Sequence, residues 1–331
     1  MNKKILIIKL GAKGDVVRTL SIAEAVKKKF PDSELTWVTK ENVSDLFEGN
    51  PFVDKVLCLP FHSSKKFDIL YNFDIENEAT EIIDKVNVSK KYGFYSEGGY
   101  VSGLNLGAEY YLNTLFDDEA KKNNKKTYQE MMFEAAELLF NGEKSKIYLN
   151  KKDREHARKF LQERGIDKDK LIGIHMGSAP RWPSKAWSKE KIKEFVERAK
   201  NKRYEVLLFG GPDEAGEIEK LAAELQEKGT TIFCNNPNNS NREFCALVES
   251  CNAMVCSDSF ALHISLALNR KTVGLFFCTP PNEVGGDGLL RKIVSPFLYD
   301  FFPEKMDQYD EKLVNSISAD EVLDALRLQN K

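Results

Sequence analysis

Short apolar runs alternate with stretches whose apolar residues recur every three or four positions along nearly the whole chain. The run from Lys4 to Leu10 (Lys-Ile-Leu-Ile-Ile-Lys-Leu) is continuous enough for a strand buried on both faces. Val16, Val17, Leu20, Ala23 and Phe30 then keep helical spacing. The same reading predicts strands near 5–10, 34–40, 55–59, 67–73 and 90–94, with helices near 15–30, 76–86 and 127–140. In the second half it predicts strands near 171–177, 205–211, 231–235, 253–258 and 271–277, with helices near 189–201, 213–228, 241–251 and 260–268. Strand alternating with helix predicts an α/β fold, with parallel sheets covered by helices on both faces.

A charged stretch at 141–170, with a helix from Lys152 to Arg164, separates the halves before the pattern restarts at Leu171. The expected division is 1–155, 156–310 and a C-terminal segment 311–331. The helix of that last segment shows Val322, Leu323 and Leu326 on one face and is expected to pack back on the first domain. Capping boxes mark helix starts at Ser240 with Glu243 and at Ser318 with Glu321.

A length of 331 residues fits about two domains of roughly 150 residues. A net charge of −2 gives no general attraction to nucleic acid. No apolar run approaches the roughly 20 residues that span a bilayer, and the N-terminus lacks the pattern of a signal peptide. The six cysteines form no Cys-x-x-Cys pair, and the four histidines are scattered. Buried free thiols, no metal and a reducing cytoplasm are expected.

The chemistry clusters where strands end, the edge at which open α/β sheets bind ligands. After the first strand comes Gly11-Ala12-Lys13-Gly14-Asp15-Val16-Val17-Arg18. This is neither the dinucleotide fingerprint nor a P-loop. Asp15 suits a general base acting on a hydroxyl, or it is only a helix N-cap.

Three further stretches follow strands in the second half. In 175–187, Ser178, Arg181 and Lys185 offer a hydroxyl and two cations for phosphate, or the loop only seals a surface with Trp182 and Trp187. In Phe209-Gly210-Gly211-Pro212-Asp213-Glu214, the glutamate can accept from ribose hydroxyls or merely complement a helix dipole. In Cys256-Ser257-Asp258-Ser259-Phe260-Ala261-Leu262-His263, Ser259 can cap a helix or bind phosphate. Asp258 organises the turn, and His263 is a ligand or a core histidine. Thr279-Pro280-Pro281 ends another strand. The run Lys121–Lys126 reads as a solvated loop, or as a site for an anionic acceptor or membrane surface.

Taken in order, Gly14-Asp15-Val16, Lys185-x-Trp187, Phe209-Gly-x-Pro-x-Glu214, Asp258-Ser259-x-x-x-His263 and Thr279-Pro280 resemble the ADP-heptose:lipopolysaccharide heptosyltransferases, glycosyltransferase family 9. Lys91-Tyr92-Gly93-Phe94 and Thr127-Tyr128-Gln129-Glu130 look like that family's acceptor domain. The resemblance implies a GT-B fold, two Rossmann-like doubly wound parallel-sheet domains facing a central cleft. The N-terminal domain would bind the acceptor and the C-terminal domain the nucleotide-sugar.

It implies inverting, metal-independent transfer of a heptose or related sugar from a donor such as ADP-heptose to a lipopolysaccharide-core-type glycolipid or glycan, with no cofactor. Asp15 would be the general base and Lys185 would stabilise the departing diphosphate. Ser178, Arg181, Glu214, Asn239, Ser240, Asp258, Ser259, His263 and Thr279 would line the donor side. Lys13, Gly14 and Arg18 would lie on the acceptor side. A cytoplasmic location with peripheral contact at the inner membrane face is expected, and no nucleic acid partner. Phe260 departs from the family pattern, which usually has Gly there, and this bears on donor identity. The alternatives are a transferase of the same fold using another nucleotide-sugar or acceptor, surface glycan or protein, and a non-catalytic nucleotide-sugar-binding envelope-assembly protein.

Overall fold

A computed structural model describes residues 2–177, 181–286 and 288–328. The chain divides into two compact units, 1–148 with 282–285, and 149–281 with 286–331.

The first unit is built on a six-stranded sheet: β1 (Lys4–Ile8), β2 (Glu34–Thr39), β3 (Lys55–Cys58), β4 (Phe67–Asn72), β5 (Val88–Glu97) and β6 (Tyr100–Gly103). Their spatial order is β3-β2-β1-β4-β5-β6. All pairs are parallel except β5–β6. β1 is central, and its Ile5, Leu6, Ile7 and Ile8 are fully buried, as a strand covered on both faces requires. One face holds Leu6, Ile8 and Leu10 against Val38, Leu70, Ile82 and Ile83.

The second unit repeats the plan with β7 (Leu171–His175), β8 (Glu205–Phe209), β9 (Phe233–Cys234), β10 (Ala253–Ser257), β11 (Lys271–Phe276) and β12 (Leu290–Val294). The order is β12-β11-β10-β7-β8-β9, parallel throughout. Each unit is therefore doubly wound, with a switch point beside its first strand, between β1 and β4 and between β7 and β10.

Several expectations are corrected. The helix expected over 15–30 is two, Lys13–Thr19 and Ser21–Lys29, parted where Leu20 N–H bonds Val17 O (3.2 Å) in a tightened turn. The helix expected over 127–140 ends at Ala135. The strand expected near 90–94 is β5, which is longer than expected and turns back into β6; β6 and the helices Leu106–Phe116 and Asp118–Asn123 are unforeseen elements before residue 127. The lysine run is thus no simple loop. Lys121 and Lys122 are helical, and Asn124 is buried, accepting from Tyr110 Oη (2.9 Å).

The unit boundary falls at 148/149 rather than 155, because helix Lys151–Arg164 belongs wholly to the second unit. Its buried Asp153 is ion-paired with Arg242 there. The C-terminal helix Ala319–Leu328, expected on the first domain, belongs to the second unit. Val322, Leu323, Ala325 and Leu326 enter the second unit's core beside Phe195, Val196 and Leu275. All six cysteines are free, four of them buried.

Candidate active site

In the first unit, Lys9, Leu10 and Gly11 leave the end of β1 while Phe73 and Asp74 leave β4, so the switch point brings them together. The buried Asp74 carboxylate accepts from Leu10 N (2.8 Å), Gly11 N (2.6 Å) and Glu76 N (3.0 Å). Lys9 Nζ lies 3.4 Å from it and donates to Phe73 O (2.9 Å). Burial pushes the Asp74 carboxyl upward, but Lys9 and the three amides outweigh it and hold it below the usual range. Burial works against the Lys9 charge, and the neighbouring acidic groups, Asp74 and Asp15 among them, work for it and leave the ammonium raised above its ordinary value. Neither residue stood out in the sequence. The only signal was a charge at the end of each apolar run.

Asp15 is the third residue of helix Lys13–Thr19, whose N-cap position is Ala12, so the N-cap reading is corrected. Arg18 donates to Asp15 Oδ1 through both Nε (3.1 Å) and Nη2 (2.7 Å). The Arg18 guanidinium sits 3.9 Å over the Tyr128 ring. Thr19 Oγ1 donates to Asp15 O (2.6 Å) and lies 3.0 Å from Tyr128 Oη. Lys13 and Gly14 share the helix's first turn with Asp15. The switch point and the glycine turn thus place a half-exposed, oriented carboxylate at the sheet's C-terminal edge.

In the second unit the loops after β7 and β10 meet likewise. Ser178 lies outside the described residues. Lys185, in the short 3-10 turn Pro183–Lys185, has its ammonium 3.2 Å from Asp258 Oδ2. His263 Nε2 is 3.6 Å from the other oxygen. Asp258 therefore bridges Lys185 and His263, a role beyond organising its own turn.

Ser259 occupies the N-cap position of helix Phe260–Ala267 without a side-chain cap bond. Its hydroxyl is 3.4 Å from His175 Nδ1, and that imidazole is held down to about 4 by burial. Helix Phe260–Ala267 thus begins at the switch point, and the positive end of its dipole is a setting for an anion with Lys185 nearby.

Glu214 joins two neighbouring loops. Its Oε2 accepts from Gly211 N (2.8 Å), and a Cβ at Gly177 would lie 2.7 Å from Oε1, so a side chain there would push the Glu214 carboxylate aside. Ser240 caps helix Asn241–Ser250 in a full capping box with Glu243. Asn239 is linked to Asn235 (3.4 Å) and Glu243 (3.4 Å). Asn235, unremarked in the sequence, accepts from Gly210 N (3.0 Å) and so ties this loop to the one after β8.

Thr279 is buried beyond β11. Arg181 is exposed, with its guanidinium 4.7 Å over Trp182. Phe260 stacks on Phe244 at 5.6 Å, and Phe244 meets Phe209 and His175 edge-on. Within the second unit, then, Lys185, Asp258, Ser259 and His263 form one cluster, and Glu214 joins the loops after β7 and β8. Arg181 is placed with neither group by any described contact. Among the described residues no group of three His, Cys, Asp or Glu side chains is placed to hold a metal ion.

The model of glycosyltransferase family 9 (heptosyltransferase) matches residues 65–298. The chain is 24% identical to lipopolysaccharide heptosyltransferase 1 of Campylobacter coli, over 88% of this chain and 89% of that one. A glycosyl transferase family 9 structure from Veillonella parvula superposes with a TM-score of 0.82 at 19% identity, covering 99% and 98% of the two chains. The E. coli ADP-heptose lps heptosyltransferase II structure superposes at 0.73 and 16% identity, covering 98% of each. At these identities the structural likeness establishes the fold.

Proposed function

The chain belongs to glycosyltransferase family 9, and we propose that it moves a heptose or related sugar from an ADP-sugar to a lipopolysaccharide-core-type acceptor. It is a transferase of the GT-B class. The printed names of the relatives from Campylobacter coli and E. coli support the narrower reading of donor and acceptor.

The observation that carries the mechanism is the Asp15 carboxylate, held by Arg18 at the C-terminal edge of the first sheet. In the proposed step a carboxylate oxygen of Asp15 takes the proton of the acceptor hydroxyl. The acceptor's hydroxyl oxygen, so deprotonated, attacks the anomeric carbon, and the bond from this carbon to the nucleoside diphosphate breaks with inversion. The leaving diphosphate keeps the electron pair. Lys185, now 3.2 Å from Asp258, and the positive end of helix Phe260–Ala267 supply charge for it. Glu214, Asn239, Ser240, Arg181, His263 and Thr279 are assigned to the donor side on the same reading, and Lys13, Gly14 and Arg18 to the acceptor side. The first unit takes the acceptor and the second the nucleotide-sugar. A lipid-anchored acceptor puts the reaction at the inner face of the cytoplasmic membrane.

Phe260 favours a second reading, in which the donor is a different nucleotide-sugar. Its ring stands at the first position of the helix whose amides would take the phosphates.

The test is a panel of nucleotide-sugars with transfer and binding measured separately. Asp15→Asn is expected to keep ADP-heptose binding within about twofold while transfer falls at least a hundredfold, as for loss of a general base. Lys185→Ala is expected to weaken both binding and turnover. Retained transfer in Asp15→Asn would refute the mechanism, and preference for another nucleotide would move the donor to the second reading.

A further inference from the structure

Arg18 and Tyr128 form, with Asp15 and Thr19, a closed ring of contacts that goes beyond the acceptor-side assignment of Arg18. The guanidinium gives two N–H groups to one Asp15 oxygen and rests its face on the Tyr128 ring. Tyr128 is in turn fixed through Thr19, whose hydroxyl also bonds the Asp15 carbonyl. Tyr128 is held at the first position of helix Tyr128–Ala135 by the Thr127/Glu130 capping box. The stretch Thr127–Glu130, distinctive in the sequence, thus supports the carboxylate from more than a hundred residues away.

We propose that Arg18, seated on Tyr128, is a positioning residue that fixes the Asp15 carboxylate for proton abstraction and sets the pH range over which it acts. The inference rests on the general-base reading of Asp15. Only arginine can both fork onto a carboxylate oxygen and lie against an aromatic face; lysine keeps the charge and loses the geometry.

Among the described residues, groups facing Asp15 include Lys9 beyond β1, Tyr111 from helix Leu106–Phe116, Tyr128 from helix Tyr128–Ala135, and Arg18 on its own helix. Both tyrosines are pushed upward by burial and stay neutral in the working range. The cations Lys9 and Arg18 therefore set the local field, and Arg18 is in direct contact. A cation there favours the charged, proton-accepting form and extends activity toward lower pH.

The pH profile of kcat/KM separates this from a merely structural role. In Arg18→Gln the acid limb is expected to move to higher pH by about one unit, the effect of losing one adjacent opposite charge. Arg18→Lys is expected to keep the limb near its original place while kcat drops about tenfold or more from lost orientation. Titration of the Asp15 carboxyl by 13C NMR gives the same comparison without turnover. A limb and titration in Arg18→Gln that superimpose on the parent, with or without a lower melting temperature, would overturn the proposal. Asp15→Asn run alongside keeps the two failures apart: an active Asp15→Asn removes the base itself, whereas an inactive one with an unmoved Arg18→Gln limb removes only the role of Arg18.

Discussion

His175 ends β7 with its ring edge-on to Phe244 and its Nδ1 against Ser259. Burial holds the imidazole to about 4 against an ordinary 6.5, so the folded protein keeps it neutral where the unfolded chain would take a proton. A depressed histidine binds fewer protons folded than unfolded between those values, and stability falls as pH drops through that window. Urea unfolding at pH 7 and pH 4.5 is expected to show this loss in the parent and a smaller loss in His175→Gln. Equal losses would mean the ring is no drier than water. Residues of this kind were only partly legible. Asp258 and Ser259 closely follow an apolar run and Asp15 follows one across a glycine turn, and a turn after a strand is a local signal. Lys9 and Asp74 owe their pairing to β1 lying beside β4, a neighbour relation that no local period records.

Elements were legible where the signal was a cap or a buried strand, and obscure where it was context. The Ser240 and Ser318 boxes stand where their sequences place them. The return strand β6 was not legible, although Gly98-Gly99, both at positive φ, is the turn such a hairpin needs. No residue of β6 is buried, so it lacks an apolar run. The apolar face of Ala319–Leu328 was evident, but amphipathicity tells that a helix packs and not against what. One contact between elements is energetically exposed: Arg242 of helix Asn241–Ser250 donates to the buried Asp153 of helix Lys151–Arg164. Arg242→Ala leaves that carboxylate buried without its cation, and a loss of about 3–5 kcal/mol in denaturant unfolding is expected. A loss below about 1 kcal/mol would show that water reaches the carboxylate readily.

For the whole molecule, the repeated alternation made two doubly wound units readable, whereas donor choice depends on a few side chains. Phe260 is the sharpest case. Phe260→Gly removes the ring stacked on Phe244 and opens the helix start. The ratio of kcat/KM between ADP-sugars and other nucleotide-sugars is expected to change at least about tenfold, or 1.4 kcal/mol of discrimination. An unchanged ratio would place the ring away from the donor.

The segment carrying Lys185 is also pinned by the end of the chain. Ser184 Oγ donates to Gln308 O and accepts from Asp310 N, Trp187 Nε1 donates to Ile317 O, and Ser188 Oγ donates to Asn315 Oδ1. During synthesis, therefore, the Asp15 turn leaves the ribosome early, while the loop bearing Lys185 gains these anchors only once residues 308–317 have emerged. A chain stopped short of residue 308 would carry the first sheet whole and leave the 184–188 segment without any of these bonds.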